Sequence, residues 1–357
     1  MHDFKLGDKT FGYLTPYLIA EIGVNHGGDL SRAKDLIRLA YEGGAHAAKF
    51  QTYKADKLAS KETAPAYWDT SEEPTQTQHE LFSKYDGFGE DEYRELFEYS
   101  KSLGIDFLST PFDLDAVDQL DPLMPLFKIA SADLTNIPLL RKIASKAKPV
   151  LLSVGASSHE EINNSVEILL GAGVTQLTLL HCVLNYPTPK QHAQLAQIPV
   201  LQEKFGDRVS IGYSDHVRPN EDGSMPALEI AALAGARVIE KHFTDDKTAK
   251  GNDHYHAMNS EDLLRFSARL DDYKSLQGGK DLDLEIQKTA IGNARRRVFA
   301  QSDIPAGAVI TEDQLIALRG NQGLEIANWD SVIGSVAARD IKSGEPISSA
   351  DFEKQDS

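Results

Sequence analysis

The sequence predicts an α/β protein: a (β/α)8 TIM barrel followed by a small, turn-rich domain. Three observations predict it. About eight short, apolar, β-rich runs alternate with helix-like segments between Tyr17 and Phe243. Polar residues capable of chemistry collect where those apolar runs end. The pattern then changes after SEDLLRFSARLDDYKSL, giving way to two similar pieces, DIPAGAVITEDQL from Asp303 and DIKSGEPISSADF from Asp340. Apolar strands alternating with helices imply a parallel sheet covered on both faces. Eight such units suit a closed barrel better than an open doubly wound sheet.

The strand candidates, in order, are YLIAEIGV from Tyr17, HAAKFQT from His46, DFLST from Asp106, LFKIA from Leu126, PVLLSV from Pro149, QLTLLH from Gln176, VSIGYS from Val209 and RVIEKH from Arg237. The segments between them, such as LSRAKDLIRLAYEGG and SHEEINNSVEILLGAG, are amphipathic, and several end in glycine as a helix C-cap would. Ser31 and Asn136 are candidate N-caps. The stretch from Tyr53 to Glu90, with Pro65, Tyr67 and Trp68, reads as a long loop serving as a lid or an oligomer contact. The two Asp-Ile pieces form a weak internal repeat and suggest pseudo-twofold character. Boundaries follow: a barrel over 1–275, a linker over 276–293 and a small domain over 294–357.

The bulk numbers fit this division. A chain of 357 residues suits one large domain plus a small one. The formal net charge of −17 repels nucleic acid and anionic membranes, which excludes both as expected partners. A single cysteine, Cys182, makes no internal disulfide and points to a reducing compartment. The N-terminal stretch has no basic segment followed by a long apolar run, so cytoplasm is the expected location.

In barrels of this kind, the C-terminal ends of the strands build the active site. Those positions hold Glu21, Asn25 and His26, then Lys49 and Gln51, then Ser109 and Thr110. Farther on come Lys128, Ser131 and Asp133, then Ser153 and Asn185. The last two strands contribute Ser214, Asp215 and His216, then Glu240, Lys241 and His242. His216 and His242 end neighbouring strands, where two imidazoles can share a divalent ion with Glu21 across the mouth. Such a site suits Mn, Fe or Zn, and an open position with water admits Mg. Each histidine can instead be a hydrogen-bonded structural residue. Lys49, Lys128 and Lys241 sit in apolar runs, where a buried ammonium needs a partner. Salt bridges to Glu21 and Glu240 would satisfy them. So would a bound phosphate and carboxylate, with Ser131, Ser153 and Ser214 completing the cradle, and the three lysines together favour that anion site. A Schiff-base role for Lys49 or Lys128 remains open. Asp253 and His254 belong to a polar loop that can hold sugar hydroxyls or simply lead, solvated, into a helix capped by Ser260. Cys182, Trp68 and Trp329 read as packing residues, and Arg295, Arg296 and Arg297 as surface or domain-contact residues.

These motifs resemble the sialic acid synthases and their legionaminic, pseudaminic and spore-coat relatives. The matching segments are IAEIGVNHGGDLSRAKDLI, AAKFQTYKADKL, FLSTPFD, FKIASADLTNIPLL, KPVLLSVGAS, LLHCVLNYPTP, IGYSDH and VIEKHFTDD. The C-terminal part resembles that family's antifreeze-like domain (SAF, β-clip type). The resemblance implies condensation of phosphoenolpyruvate with an amino-sugar aldehyde, giving a nonulosonic acid and phosphate. It implies Mn2+ or Mg2+ on His216 and His242, and phosphoenolpyruvate on Lys49, Thr110, Lys128, Ser131, Ser153 and Ser214, with Asn185 as the nearest match to a further asparagine. Glu21, Gln51 and Asp253 would lie near the sugar and metal, and Glu21 or Asp133 would orient water. It also implies a domain-swapped homodimer in which Arg319 reaches the sugar's N-acyl group. The chain departs from the family pattern in four places. Asp133 stands where glutamate is common. Leu184 takes the usual asparagine position, with Asn185 one later. GNDHYHAMNSEDL replaces the usual Asp-His-Lys-Ala-Ser run. Arg319 lacks its following proline. A Schiff-base lyase and a non-catalytic sugar-binding or ice-binding protein are the alternative readings.

Overall fold

The chain opens with an antiparallel hairpin that the search for apolar runs passes over, because its strands are only three residues long and carry lysines: β1 (Phe4–Leu6) and β2 (Lys9–Phe11). The computed structural model describes residues 2–354 apart from 69, 72 and 252, and it divides into two units, Met1–Gln277 and Gly278–Ser357. In the first unit the rings of Phe4 and Phe11 pack on Tyr17 at 5.3 and 4.9 Å. Asp3 accepts from Arg237 Nε at 2.9 Å. Both partners lie where barrel strands begin, so the hairpin covers the N-terminal end and leaves the other end for a site.

The barrel strands are β3 (Tyr17–Gly23), β4 (Ala47–Thr52), β5 (Asp106–Pro111), β6 (Phe127–Ile129), β7 (Val150–Ser153), β8 (Leu177–His181), β9 (Ser210–Asp215) and β10 (Val238–His242). Each falls in a run expected to be a strand. They form one parallel sheet in the order β5-β4-β3-β10-β9-β8-β7-β6. β5 and β6 meet at the seam without a hydrogen-bonded ladder, so the barrel closes by packing there. Almost every strand residue is buried, as a sheet covered by helices outside and side chains inside requires.

Register and pleat together place the polar residues. Glu21 pairs in register with Lys49 on one side and His242 on the other. Alternation along β10 turns Glu240 and His242 to the cavity at the strand ends and Lys241 away from it. Lys241 is instead buried against Asp215 (2.6 Å) and the Val217 carbonyl (2.6 Å). The expectation that Lys241 joins an anion site is therefore corrected, as is its pairing with Glu21 or Glu240.

The helix starts show two further differences. The helix Leu30–Glu42 is capped by Asp29, whose carboxylate accepts from Arg32 N, so Ser31 is not the cap. Asn259 rather than Ser260 opens the last barrel helix: its side chain accepts from Asp262 N, and Asp262 accepts from Asn259 N in return. Asn136 caps Ile137–Ala144 as expected. The segment 53–90 is not structureless. It carries short helices at Ala55–Leu58 and Gln78–Ser83 and buries Trp68, whose indole donates to the Glu73 carbonyl. Among the described residues no helix is long and apolar enough to cross a membrane.

The second unit pairs β11 (Arg296–Ala300) with β12 (Leu315–Arg319), and β13 (Val336–Ala337) with β14 (Phe352–Glu353). Its core gathers Val298, Ile304, Ile310, Leu315, Val332, Ile341 and Ile347, with Trp329 packed on it. The two Asp-Ile pieces face one another. Ile304 and Ile341 exchange backbone hydrogen bonds at 2.8 and 2.9 Å. Asp303 accepts from Ser343 N and Asp340 from Ala306 N, each across the pair at the same offset.

Gly212 lies inside the barrel where β8, β9 and β10 meet. A Cβ there would stand 2.5 Å from Leu180 Cδ2 and 2.5 Å from the Val238 carbonyl oxygen. Gly212→Ala is expected to cost about 1–3 kcal/mol of stability through overpacking. Urea unfolding measures it, and a variant as stable as the parent would contradict this packing.

Candidate active site at the strand ends

Two adjoining hollows open at the C-terminal ends of the strands and share Gln51, Tyr67, Phe82, Tyr186 and His242. The inner hollow is lined by Glu21, Lys49, Thr110, Lys128, Ser131, Ser153, Ser214 and Glu240. These residues come from seven separate strands or strand ends, and only barrel closure brings them together.

Buried charge organises the inner hollow. Lys49 Nζ lies 2.5 Å from Glu21 Oε2 and 3.5 Å from Glu240 Oε2, and Lys128 Nζ lies 3.5 Å from Glu240 Oε1. Lys49 also donates to Thr110 Oγ1 at 3.0 Å, Gln51 Nε2 to Glu21 Oε1 at 3.0 Å, and Ser214 Oγ to Glu240 Oε1 at 2.9 Å. Burial pushes the Glu240 carboxyl up, but Lys128 and Lys49 together outweigh it and hold the group below its ordinary value. Burial pulls the Lys128 ammonium down, with Lys49 adding to the effect against the pull of Glu240. For Lys49 the same burial is overcome by Glu21 and Glu240, and the ammonium is favoured. Burial also raises Glu21, which Lys49 opposes and Glu240 reinforces. Ser131 Oγ accepts from Gly155 N at 3.0 Å, whereas the buried Ser153 hydroxyl has no hydrogen-bond partner. An unsatisfied buried hydroxyl beside two ammonium groups fits an oxyanion ligand.

Three imidazoles stand at the mouth. His216 Nδ1 lies 2.8 Å from the Val183 carbonyl. A carbonyl only accepts, so Nδ1 carries a proton; burial works against the charged ring, but Cys182, the Val183 carbonyl and Asp215 outweigh it and hold His216 above its ordinary value. The His216 and His242 ring centroids are 5.5 Å apart, and His242 Nδ1 lies 3.6 Å from Asp253 Oδ2. His256 completes the group at 4.8 Å from His242. Burial holds both His242 and His256 well below the ordinary histidine value, with neighbouring histidines adding to the effect. Neutral imidazole is the metal-ligating form. Burial and Glu21 raise Asp253 to about 7 against His216 and Lys49. The buried Nδ1 of His242 and both ring nitrogens of His256 have no hydrogen-bond partner. Donor atoms of His242, Asp253 and His256 lie within 4.8 Å of one another. That donor set fits a divalent cation.

Not every expected residue arrives. Asn185 is exposed and does not line the hollow; Leu184 does. The Asp133 carboxylate accepts from Asn136 Nδ2 at 2.9 Å and is likewise absent from the lining. Asn25 and His26 are held structurally. The first donates to the Phe243 carbonyl, and the second accepts from Gly28 N and stacks on Phe88 at 4.4 Å. His254 hydrogen-bonds Thr244 Oγ1. Arg319 ends β12 in the second unit, exposed and in register with Arg296. Cys182, expected as core, is buried yet lines the inner hollow 3.9 Å from His216 Nδ1. Reading the sequence missed His256, although the spacing Asp253-His254-Tyr255-His256 carried the signal; Asn252 beside it lies outside the described residues.

The NeuB family profile matches residues 36–281 and the SAF domain profile residues 295–353. The chain is 35% identical to the N,N'-diacetyllegionaminic acid synthase of Legionella pneumophila over 93% of each chain. It is 32% identical to the pseudaminic acid synthase of Helicobacter pylori, over 95% of this chain and 98% of that one. Among solved structures it resembles the N-acetylneuraminic acid (sialic acid) synthetase of Leptospira borgpetersenii, crystallised with citrate. That match has a TM-score of 0.68 and 31% identity, covering 81% of this chain and 95% of that one.

Removing the countercharge shared by two buried lysines should be costly. Glu240→Gln is expected to lower the stability of the ligand-free protein by about 3 kcal/mol. Millimolar inorganic phosphate should restore more stability to this variant than to the parent. Urea unfolding with and without phosphate tests both points, and equal phosphate responses would contradict an anion cradle here.

Proposed function

The chain belongs to the NeuB family and carries a SAF domain, and from that premise we propose that it condenses phosphoenolpyruvate with the open-chain aldehyde of an amino sugar, releasing phosphate and a nonulosonic acid. One observation carries the reading. A cradle of lysines and hydroxyls (Lys49, Lys128, Thr110, Ser131, Ser153 and Ser214) adjoins a cluster formed by the imidazoles of His242 and His256 and the side chain of Asp253 in the same barrel mouth. An anionic enol ester and a polarised aldehyde need those two environments side by side.

Lys49 and Lys128 hold the carboxylate and phosphate of phosphoenolpyruvate, with the hydroxyls as further donors. The sugar takes the outer hollow beside Gln51, Tyr67 and Asp253. His216 and His242 hold a divalent ion, Mn2+ or Mg2+, which when bound supplies Lewis acidity toward the aldehyde oxygen. The C2=C3 electron pair of phosphoenolpyruvate forms the new bond to the aldehyde carbon and leaves C2 cationic. Water adds at C2, and a carboxylate takes its proton. Glu21 lines the inner hollow and is suited to this role, whereas Asp133 is turned to Asn136. The aldehyde oxygen, which receives the carbonyl electron pair, takes up a proton and becomes a hydroxyl. The tetrahedral C2 then breaks its C–O bond to phosphate as its new hydroxyl loses a proton and becomes the ketone, and the departing phosphate carries the electron pair into a cradle that needs no reorganisation. A homodimer in which the SAF domain covers the partner's barrel and brings Arg319 to the sugar's acyl group belongs to the same reading, as does a cytoplasmic setting.

Phosphate release from phosphoenolpyruvate should be seen with one or more of N-acetylmannosamine, a 2,4-diacetamido-trideoxyhexose and mannose. It should be lost on chelation and restored by Mn2+. Lys128→Ala should lower the rate at least about a hundredfold. Release with none of these acceptors, or borohydride trapping of a pyruvate adduct on Lys49 or Lys128, would replace the reading with a sugar-binding protein or a Schiff-base lyase.

A further inference from the structure

The donor set at the barrel mouth is larger than the two strand-end histidines. His256 is fully buried, and neither of its ring nitrogens has a hydrogen-bond partner. His242 Nδ1 is buried and unpartnered as well. Two adjacent buried imidazoles with bare nitrogens are costly unless something satisfies them. Asp253 faces the same point, 3.6 Å from His242 Nδ1.

The backbone builds this convergence. Thr244 N donates to the Met258 carbonyl and Met258 N to the His242 carbonyl, so the loop returns to the end of β10 after a short excursion. Its middle residues are thereby folded back over His242. The ring centroid of His256 lies 4.8 Å from that of His242 and 6.0 Å from that of His216. One donor atom from each of His242, Asp253 and His256 lies within 4.8 Å of the other two. With metal–ligand bonds near 2.0–2.2 Å, donors around one ion stand about 3–4 Å apart, so small side-chain rotations close the gap.

We infer that His256 is a direct ligand of the metal together with His242 and Asp253, and that this nitrogen-rich set selects a borderline dication such as Fe2+, Co2+ or Zn2+ over Mg2+. The inference rests on the metal-dependent reading of the site given above and adds to it a ligand and a metal class. Mg2+ favours oxygen donors and retains its water, whereas imidazole suits the later first-row ions.

Co2+ alone is the probe. The full-length protein, stripped of metal, is titrated with Co2+ while its visible absorption is followed, then challenged with Mg2+. The parent should bind Co2+ at least about a hundredfold more tightly than Mg2+. His256→Ala should weaken Co2+ binding at least about tenfold and change the absorption bands. His256→Gln, which keeps most of the bulk and the polarity, serves if the alanine variant fails to fold, with far-UV circular dichroism as the check. Parent-like Co2+ affinity and spectrum in a folded His256 variant would overturn the inference and leave the metal-dependent reading standing. Absence of Co2+ binding by the parent would overturn both.

Discussion

The carboxylate of Glu240 lies within ion-pair reach of both Lys49 and Lys128, and the site depends on that shared contact. Two buried ammonium groups could not persist in an apolar barrel without it. The arrangement has a consequence for binding. Lys49 and Lys128 are matched by Glu21 and Glu240, so the inner hollow carries no large net positive charge before a ligand enters. The protein as a whole carries a formal charge of −17. On the proposed reading, a highly charged anion would be held by local geometry, through directed ammonium and hydroxyl donors, and by any cation at the adjoining imidazoles. Seen this way, the two hollows are electrostatic partners, and filling one improves the other.

The pleat decides which strand-end residues take part. Glu240 and His242 face the cavity, and Lys241 between them is buried with Asp215 on the opposite side. In β9 the same alternation gives Ser214 and His216 to the cavity and sends Asp215 outward to Tyr213 and Lys241. The outward pair is a buried ion pair and the inward residues line the hollow, although the sequence sets them side by side. Small residues such as Gly212 let the strands approach closely in the interior below the polar layer.

The second unit shows a different economy. Two copies of one short pattern pair through Ile304 and Ile341, and each aspartate at the head of a copy caps the backbone of the other. Among the described residues a core of nine buried side chains suffices, because the turns are fixed from both sides. Few strand residues are needed, which is why apolar periodicity is weak there while the repeat itself is plain in the sequence.

By itself the sequence determined the eight strands, their order along the chain, the small repeated domain and most residue types at the mouth, because apolar runs and their polar ends are local features. Period-two alternation would also have separated Lys241 from its neighbours. Other facts needed tertiary structure. The hairpin at residues 4–11 is held by the rings of Phe4 and Phe11 packed on Tyr17 and His46, where two barrel strands begin. His256 reaches His242 only because a loop folds back through a backbone bridge from Phe243 to Met258, and Leu184 rather than Asn185 faces the hollow because of the path the chain takes after β8. Positions of that kind are set by contacts between distant segments, which no local pattern of hydrophobicity encodes.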